Sequence, residues 1–238
     1  MRRGLRRTAP RCIAFVATGV LLTAAPLAAQ AGTSDSGTFR VLVGGQQVGT
    51  EDFSIHQTGT GANAEIVATG HVQLQLPSGT VDLRPRLRTT GIEANPVSYE
   101  IAVGGTSPEK IVGTIGNGRF SARIVTPTGE KMREYLATSG ATVLDEGIAH
   151  QYYFLARRVR DGRVPIIIPR ENRQVMATVR NLGEEHVQIA GTTATLYHLV
   201  VQPAGGDQRD VWVDALGRVI RVEIPARGYT AVRTQVPA

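Results

Sequence analysis

Cysteine is nearly absent from this chain of 238 residues, in which Cys12 is the only one. Because Cys12 lies ahead of the first long apolar segment, the remainder of the chain can form neither a disulfide bond nor a cysteine-ligated metal site. Aromatic residues are also scarce, at 5% with one tryptophan, which is too few for the interfacial girdles of an outer-membrane barrel. A fold without disulfides needs a large apolar core, and roughly 200 residues are enough to bury one.

Acidic residues are absent from the first 31 positions, whereas five of the 26 basic residues lie there. The formal charge of +6 therefore belongs mostly to this leading segment, and the rest of the chain has 21 basic against 20 acidic residues. A nucleic-acid-binding domain needs a concentrated basic surface. The balance of charge therefore predicts no nucleic-acid partner.

The leading segment has the three parts of a secretory signal peptide. Its arginines precede an uncharged, mostly apolar run at residues 13–25, and Ala29-Gln30-Ala31 supplies the small residues of a cleavage site. An apolar run of this length is too short to cross a bilayer comfortably. The sequence therefore predicts a cleaved signal peptide at residues 1–31, a periplasmic or secreted bacterial protein, and no membrane span after cleavage.

Beyond this segment, the sequence predicts a flexible lead-in at residues 32–37 and one β-rich domain at residues 38–238. Apolar and polar residues alternate along much of the domain, most clearly from Ile66 to Leu76, and such alternation is typical of half-buried strands. Gly44-Gly45 and Asn117-Gly118 are typical of tight hairpin turns. The pattern indicates roughly a dozen antiparallel strands.

Two stretches depart from this alternation. Residues 130–137 can form a short helix, and residues 145–158 place Ile148, Tyr152 and Leu155 on one helical stripe. A helix laid across a bent sheet would bury such a stripe. The fold we expect is mainly β: a single strongly curved antiparallel sheet, or half-open barrel, with one or two helices packed over it.

The sequence gives weaker evidence for catalysis than for the fold. The sequence has no Gly-x-Ser-x-Gly nucleophile elbow. Asp210 and Asp214 share one face of a predicted strand, where paired carboxylates can do acid–base chemistry, so a hydrolase using them is one alternative. Glu146 and His150 are spaced to ligate a metal from one helix face. An ion pair explains that spacing equally well, and we expect no metal or other cofactor.

Several stretches resemble a family of exported bacterial β-rich proteins of unknown function. They include Val164-Pro-Ile-Ile-Ile-Pro-Arg170, Val211-Trp-Val-Asp-Ala-Leu-Gly-Arg-Val219 and the opening residues 39–53. Such proteins are distantly similar to the LolA/LolB-type lipoprotein carriers. The resemblance implies a half-open antiparallel barrel with helices over its mouth and an apolar cavity for acyl chains.

These features favour an exported, non-catalytic protein that binds an apolar or amphipathic ligand, a lipid or another envelope component, on the concave face of its sheet. Besides the hydrolase, the other alternative is a structural or interaction module of the cell envelope, which offers edge strands to a partner protein. The residues predicted to line the ligand site are Tyr152, Phe154, Tyr197, Leu199 and Trp212.

Overall fold

The computed structural model describes residues 32–237, so the predicted signal peptide lies outside the described residues. This part of the chain forms fifteen strands and one α-helix, α1 (Tyr152–Arg158). The strands of the first half are β1 (Gly32–Val43), β2 (Gln46–Thr58), β3 (Glu65–Leu76), β4 (Gly79–Thr90), β5 (Asn95–Gly105), β6 (Glu109–Gly116), β7 (Arg119–Thr126) and β8 (Gly129–Leu136). Those of the second half are β9 (Thr142–Val143), β10 (Gly162–Ile168), β11 (Arg173–Ile189), β12 (Thr192–Pro203), β13 (Arg209–Val213), β14 (Val219–Ile224) and β15 (Tyr229–Arg233).

All fifteen strands belong to one large curved sheet that does not close. Starting from β1 in the middle, each strand up to β8 pairs with the one before it, and β8 forms one edge. The chain then passes to the other edge, where β9 and β10 are the one parallel pair among the described strands. Strands β10 to β15 return to the middle, and β15 pairs with β1. The predicted fold class is therefore confirmed.

The hairpins form where the turn residues predict them. Gly44-Gly45 joins β1 to β2, Asn117-Gly118 joins β6 to β7, and all four residues have positive φ. Such φ values belong to the turn types whose twist matches that of two paired strands. The strongly alternating stretch from Ile66 to Leu76 lies in β3, paired on both sides.

Two local predictions are wrong. Residues 32–37, expected to be a flexible lead-in, form the first half of β1, where the side chain of Asp35 is buried in an ion pair with Arg233. Residues 130–137, expected to be a helix, form β8 and its end, because this stretch pairs along its whole length with β7. Pairing with a neighbouring strand overrides a helical preference of this size.

The helix predicted over residues 145–158 is shorter than expected. Gly147 has a φ of 74°, a left-handed conformation that an α-helix does not contain. A 3₁₀ turn follows at Ala149–Gln151, and α1 begins only at Tyr152.

The main apolar core lies on the concave face of the sheet. It combines inward-facing side chains from both halves with the side chains of residues 142–158, which we call the inner segment. Its largest fully buried members include Phe39, Tyr99, Phe120, Phe154, Leu144 and Ile148. The inner segment therefore covers the concave face, where the ligand site is predicted from the sequence.

The inner segment runs from one end of the barrel to the other. Gly147 lies at the end where β3 turns into β4, beside Leu76 and Val81. At the opposite end, the Arg158 guanidinium donates to the backbone oxygen of Glu93, in the turn between β4 and β5, over 2.8 Å. The inner segment thus borders both open ends of the curved sheet.

Candidate functional site

Three of the five residues predicted to line a ligand site lie in the main core. Tyr152 and Phe154 on α1 and Leu199 on β12 are all buried there. Tyr197, also on β12, packs only partly against the core, and the Arg160 guanidinium lies 5.2 Å from its ring centre.

Trp212, the fifth predicted residue, lies on the other face of the sheet. It belongs to a second apolar cluster with Ile189, Leu196 and Ile220, which is the convex side because Leu196 alternates with the inward-facing Leu199 along β12. The structure therefore does not bring Trp212 together with the other four residues.

The convex face places polar partners around Trp212. Its indole Nε1 donates to Glu185 over 2.9 Å, and its ring stacks on His198 with ring centres 4.4 Å apart. His198 in turn bonds to Glu185 through Nδ1 over 2.8 Å and to Asp210 through Nε2 over 2.9 Å. His198 thus bridges the two carboxylates on the convex face.

The two aspartates of the hydrolase alternative have separate partners. Asp210 accepts hydrogen bonds from His198 and from Gln208. Asp214 accepts from the backbone and the guanidinium of Arg218 and from the backbone N–H of Leu216, which is turn chemistry. The two carboxylates therefore do not form a pair that shares one site. The hydrolase activity stays a prediction.

A buried carboxylate on β2 holds the inner segment in place. Glu51 is fully buried and accepts hydrogen bonds from the backbone N–H groups of Ala149 and His150, over 2.7 and 2.9 Å. The Nδ1 of His150 donates to the same carboxylate over 2.6 Å. The imidazole ring stacks on Phe53, so the start of the 3₁₀ turn is fixed on the sheet from two sides.

The spacing of Glu146 and His150 therefore does not form a metal site. His150 bonds to Glu51, whereas the Glu146 carboxylate bonds to Arg209 and Arg227. Within residues 32–237, no group of three or more histidine, cysteine or acidic side chains is placed to hold a metal ion.

A second buried acid lies just before Gly147. Asp145 accepts a hydrogen bond from the Tyr99 hydroxyl over 3.1 Å and lies 3.1 Å from the Nε of Arg170. Burial raises the pKa of the Asp145 carboxyl, and the positive charge of Arg170 opposes that rise. The Gln151 side chain completes the contact by accepting from the Asp145 backbone N–H over 2.6 Å.

Glu146 connects three arginines at the mouth of the barrel. Its carboxylate bonds to Arg209 and to Arg227, the latter over 3.0 Å, and its backbone oxygen accepts from Arg170. Arg227 also bonds to Asp207 over 2.6 Å, and this contact is the main reason that its pKa is raised.

A pocket of about 270 Å³ opens beside this arginine group. We call it the rim pocket. One side carries Glu146, Gly147, Arg170 and Arg227, and Tyr229 also lines it. The remaining wall is apolar and consists of Val43, Leu74, Leu76, Val81, Leu83 and Ile224. The rim pocket thus joins an apolar wall to a fixed group of charges.

None of the five residues predicted from sequence lines the rim pocket. Tyr152 lies behind it, because its hydroxyl is close to Arg209, Glu146 and Arg227. Burial is the main cause that raises the pKa of Tyr152 to about 12. The hydroxyl of Tyr229 is likewise buried, and burial raises its pKa well above 10.0.

Among the described residues, no helix has the length and apolar character needed to cross a membrane.

Comparison with known proteins supports the fold and no activity. No protein-family model matches the sequence, and no curated protein matches it. Among solved structures, the fold is similar to the crystal structure of a β-barrel-like protein of Domain of Unknown Function DUF1849 from Brucella abortus. The similarity covers 83% of this chain and 93% of that chain, with a TM-score of 0.54 and 7% sequence identity. The β-rich, barrel-like architecture is thus shared with a protein whose function is itself unknown.

Proposed function

We propose that the protein is an exported, non-catalytic binding protein that holds the apolar chain of an amphipathic molecule, such as a lipid, in the rim pocket. The observation that carries the proposal is the composition of this pocket, with six apolar side chains facing one fixed charged group. Such a division suits a molecule with an apolar part and a polar part.

The size of the pocket limits what it can hold. Its volume of about 270 Å³ is slightly below the range of roughly 300–1,000 Å³ that encloses drug-sized ligands. A single apolar chain suits this space better than a lipid with two chains.

The polar part of the ligand would lie beside Arg170 and Arg227. Both guanidinium groups are held by acids, Arg170 by Asp145 and Arg227 by Asp207 and Glu146. Arg209 also bonds to Glu146, so three arginines balance three acids, and a neutral or zwitterionic polar group fits the site without leaving a buried charge unpaired.

Titration of the purified protein with a fluorescently labelled lysophosphatidylcholine, a zwitterionic lipid with a single apolar chain, tests this proposal. We expect saturable uptake by the wild-type protein and at least about tenfold weaker uptake by Val81→Trp, whose larger side chain fills the pocket. Val112→Trp is a matched control, because Val112 is also partly buried in the sheet but does not line the pocket.

Two results would overturn the proposal. The first is the absence of saturable uptake by the wild-type protein. The second is equal uptake by the wild-type protein and a folded Val81→Trp variant, since the labelled lipid would then bind elsewhere.

A further inference from the structure

The two edges of the sheet differ sharply in exposure. At one edge, β9 contains two residues, Thr142 and Val143, and both are buried. At the other edge, all residues of the eight-residue strand β8 are exposed except Tyr135, which is partly buried. A long exposed edge strand is a template for pairing with another chain.

The free backbone groups of β8 can be assigned from its pairing with β7. The backbone N–H of Ala137 donates to the oxygen of Gly118 over 2.9 Å, and the register continues from this pair along the hairpin. Hydrogen-bonded and non-hydrogen-bonded pairs alternate in an antiparallel ladder. The odd-numbered residues of β8 therefore bond to β7, and the even-numbered residues present their N–H and C=O groups at the open edge, where the Met132 oxygen also accepts from the Arg133 guanidinium over 3.3 Å.

The outer face of β8 combines two exposed apolar side chains with two acids whose charge is balanced. Met132 and Leu136 are 65% and 61% exposed on this face. Glu130 and Glu134, which share the face, form ion pairs with Arg123 and Arg119 on β7 over 3.2 and 2.8 Å.

The inner face of β8 carries unbalanced positive charge. Lys131 and Arg133 share this face with Tyr135, because side chains alternate along a strand. Within residues 32–237, neither of these two cations forms an ion pair with an acidic side chain.

These charges disfavour pairing between two copies of β8. A symmetric antiparallel pair places residues of the same face opposite each other. The central register sets Lys131 opposite Arg133, and the two neighbouring registers set Lys131 opposite Lys131 or Arg133 opposite Arg133. Like charges directly opposite each other destabilise a strand pair.

We propose that β8 docks an extended segment of another protein in which acidic and apolar residues alternate. The acidic side chains would lie opposite Lys131 and Arg133 on the inner face. The apolar side chains would pack against Met132 and Leu136 on the outer face. Backbone hydrogen bonds to the open edge supply the pairing itself, as in other cases of strand addition.

The test measures binding of labelled eight-residue peptides to the purified protein by fluorescence anisotropy. We expect a peptide of alternating glutamate and valine to bind saturably, and a peptide of alternating lysine and valine to bind at least about tenfold more weakly. The double variant Lys131→Glu/Arg133→Glu should reverse this preference. Met132→Pro should abolish binding, because it removes an open-edge N–H and leaves the ladder to β7 intact.

Three binding results would overturn the proposal. They are a lack of saturable binding by either peptide at millimolar concentration, the same preference in the charge-reversed variant, and binding retained by a folded Met132→Pro variant. A dimer of the wild-type protein in sedimentation experiments that Met132→Pro converts to monomer would also overturn it, in favour of a second copy as the partner. If Met132→Pro does not fold, the charge-reversed variant, whose changes are on exposed positions, decides the question.

Discussion

At the scale of single residues, Glu51 fixes the inner segment on the sheet. It accepts three hydrogen bonds from the inner segment while fully buried. A buried carboxylate is stable only when its charge is compensated by such donors. The position of the 3₁₀ turn, and with it the border of the rim pocket at Gly147, therefore depends on this side chain.

We predict that Glu51→Ala lowers the free energy of unfolding by about 3 kcal/mol, because three buried donors lose their acceptor at once. Urea denaturation followed by circular dichroism measures the change. Glu65→Ala is the matched control: the carboxylate of Glu65 is 40% exposed in an ion pair with Arg88, and such pairs contribute about 1 kcal/mol or less. Equal losses in the two variants would contradict the role given to Glu51.

The sequence around Glu51 contains a local signal of its burial. In β2, Glu51 alternates in phase with Phe53 and Ile55, so a charged residue stands on the apolar face of a strand. That position indicates a buried acid with partners elsewhere in the chain. The partners themselves, nearly 100 residues away, could not be identified from sequence because nothing local links them.

At the scale of single elements, the strands were easier to predict than the helices. Alternation and turn glycines identify β3 and the hairpin between β6 and β7, because both signals are local. The residues of β8 do not alternate: Met132, Tyr135 and Leu136 follow the i, i+3, i+4 spacing of a helix, and the stretch includes several good helix formers. Their strand conformation comes from pairing with β7 and from the stacking of Tyr135 on Phe120, with ring centres 5.1 Å apart.

The packing of Phe120 also explains a glycine in the neighbouring strand. A Cβ atom added at Gly113 would lie 2.3 Å from Cζ of Phe120, so the ring occupies the space that a side chain would need. We predict that Gly113→Ala destabilises the protein by roughly 1–3 kcal/mol, the usual cost of overpacking. Thermal unfolding measures the effect.

Gly116→Ala provides the control for this prediction. Gly116 ends the same strand, β6, and an added Cβ there meets no atom within 4 Å. We expect a change within about 0.5 kcal/mol, as for other surface substitutions. An unchanged melting temperature in Gly113→Ala would show that Phe120 can move aside at no cost.

At the scale of the whole molecule, one buried arginine contacts both halves of the sheet where β1 pairs with β15. Arg233 on β15 is 2% exposed and bonds to Asp35 on β1 and to the backbone oxygens of Ser36 and Val219. Its guanidinium also lies 4.8 Å from the centre of the Phe53 ring. One side chain thus joins β1, β2, β14 and β15.

We predict that Arg233→Ala lowers the free energy of unfolding by roughly 3–5 kcal/mol, because it leaves the buried Asp35 carboxylate unpaired. Chemical denaturation measures this change. Adding Asp35→Asn to the same variant removes the unpaired charge and should recover part of the loss. If the double variant is no more stable than the single one, the buried charge of Asp35 is not the source of the destabilisation.

The buried tyrosines predict how the whole fold responds to alkaline pH. Burial raises the pKa of Tyr99, Tyr135, Tyr152 and Tyr229, in the case of Tyr152 from 10.0 to about 12. The folded protein therefore holds these protons more tightly than the unfolded chain does. This contribution to stability is complete below pH 10 and is lost as the pH rises from about 10 to 12.

We therefore expect the protein to unfold in this range of pH. Most of the six tyrosines should ionise as the protein unfolds, so that phenolate absorbance rises along the same curve as the circular dichroism signal is lost. Phenolate formation by all six while the circular dichroism signal persists would contradict the prediction.

The place of β15 in the sheet has a consequence for the order in which the protein forms during synthesis. Its partner β1 leaves the ribosome nearly 200 residues earlier. One side of β1 therefore stays unpaired while the rest of the chain is made. Contacts between residues so far apart in sequence form slowly, and open strand edges favour aggregation in the meantime. One side of β1 is therefore open to wrong pairing until β15 is made, and a product truncated before β15 leaves that side of β1 unpaired.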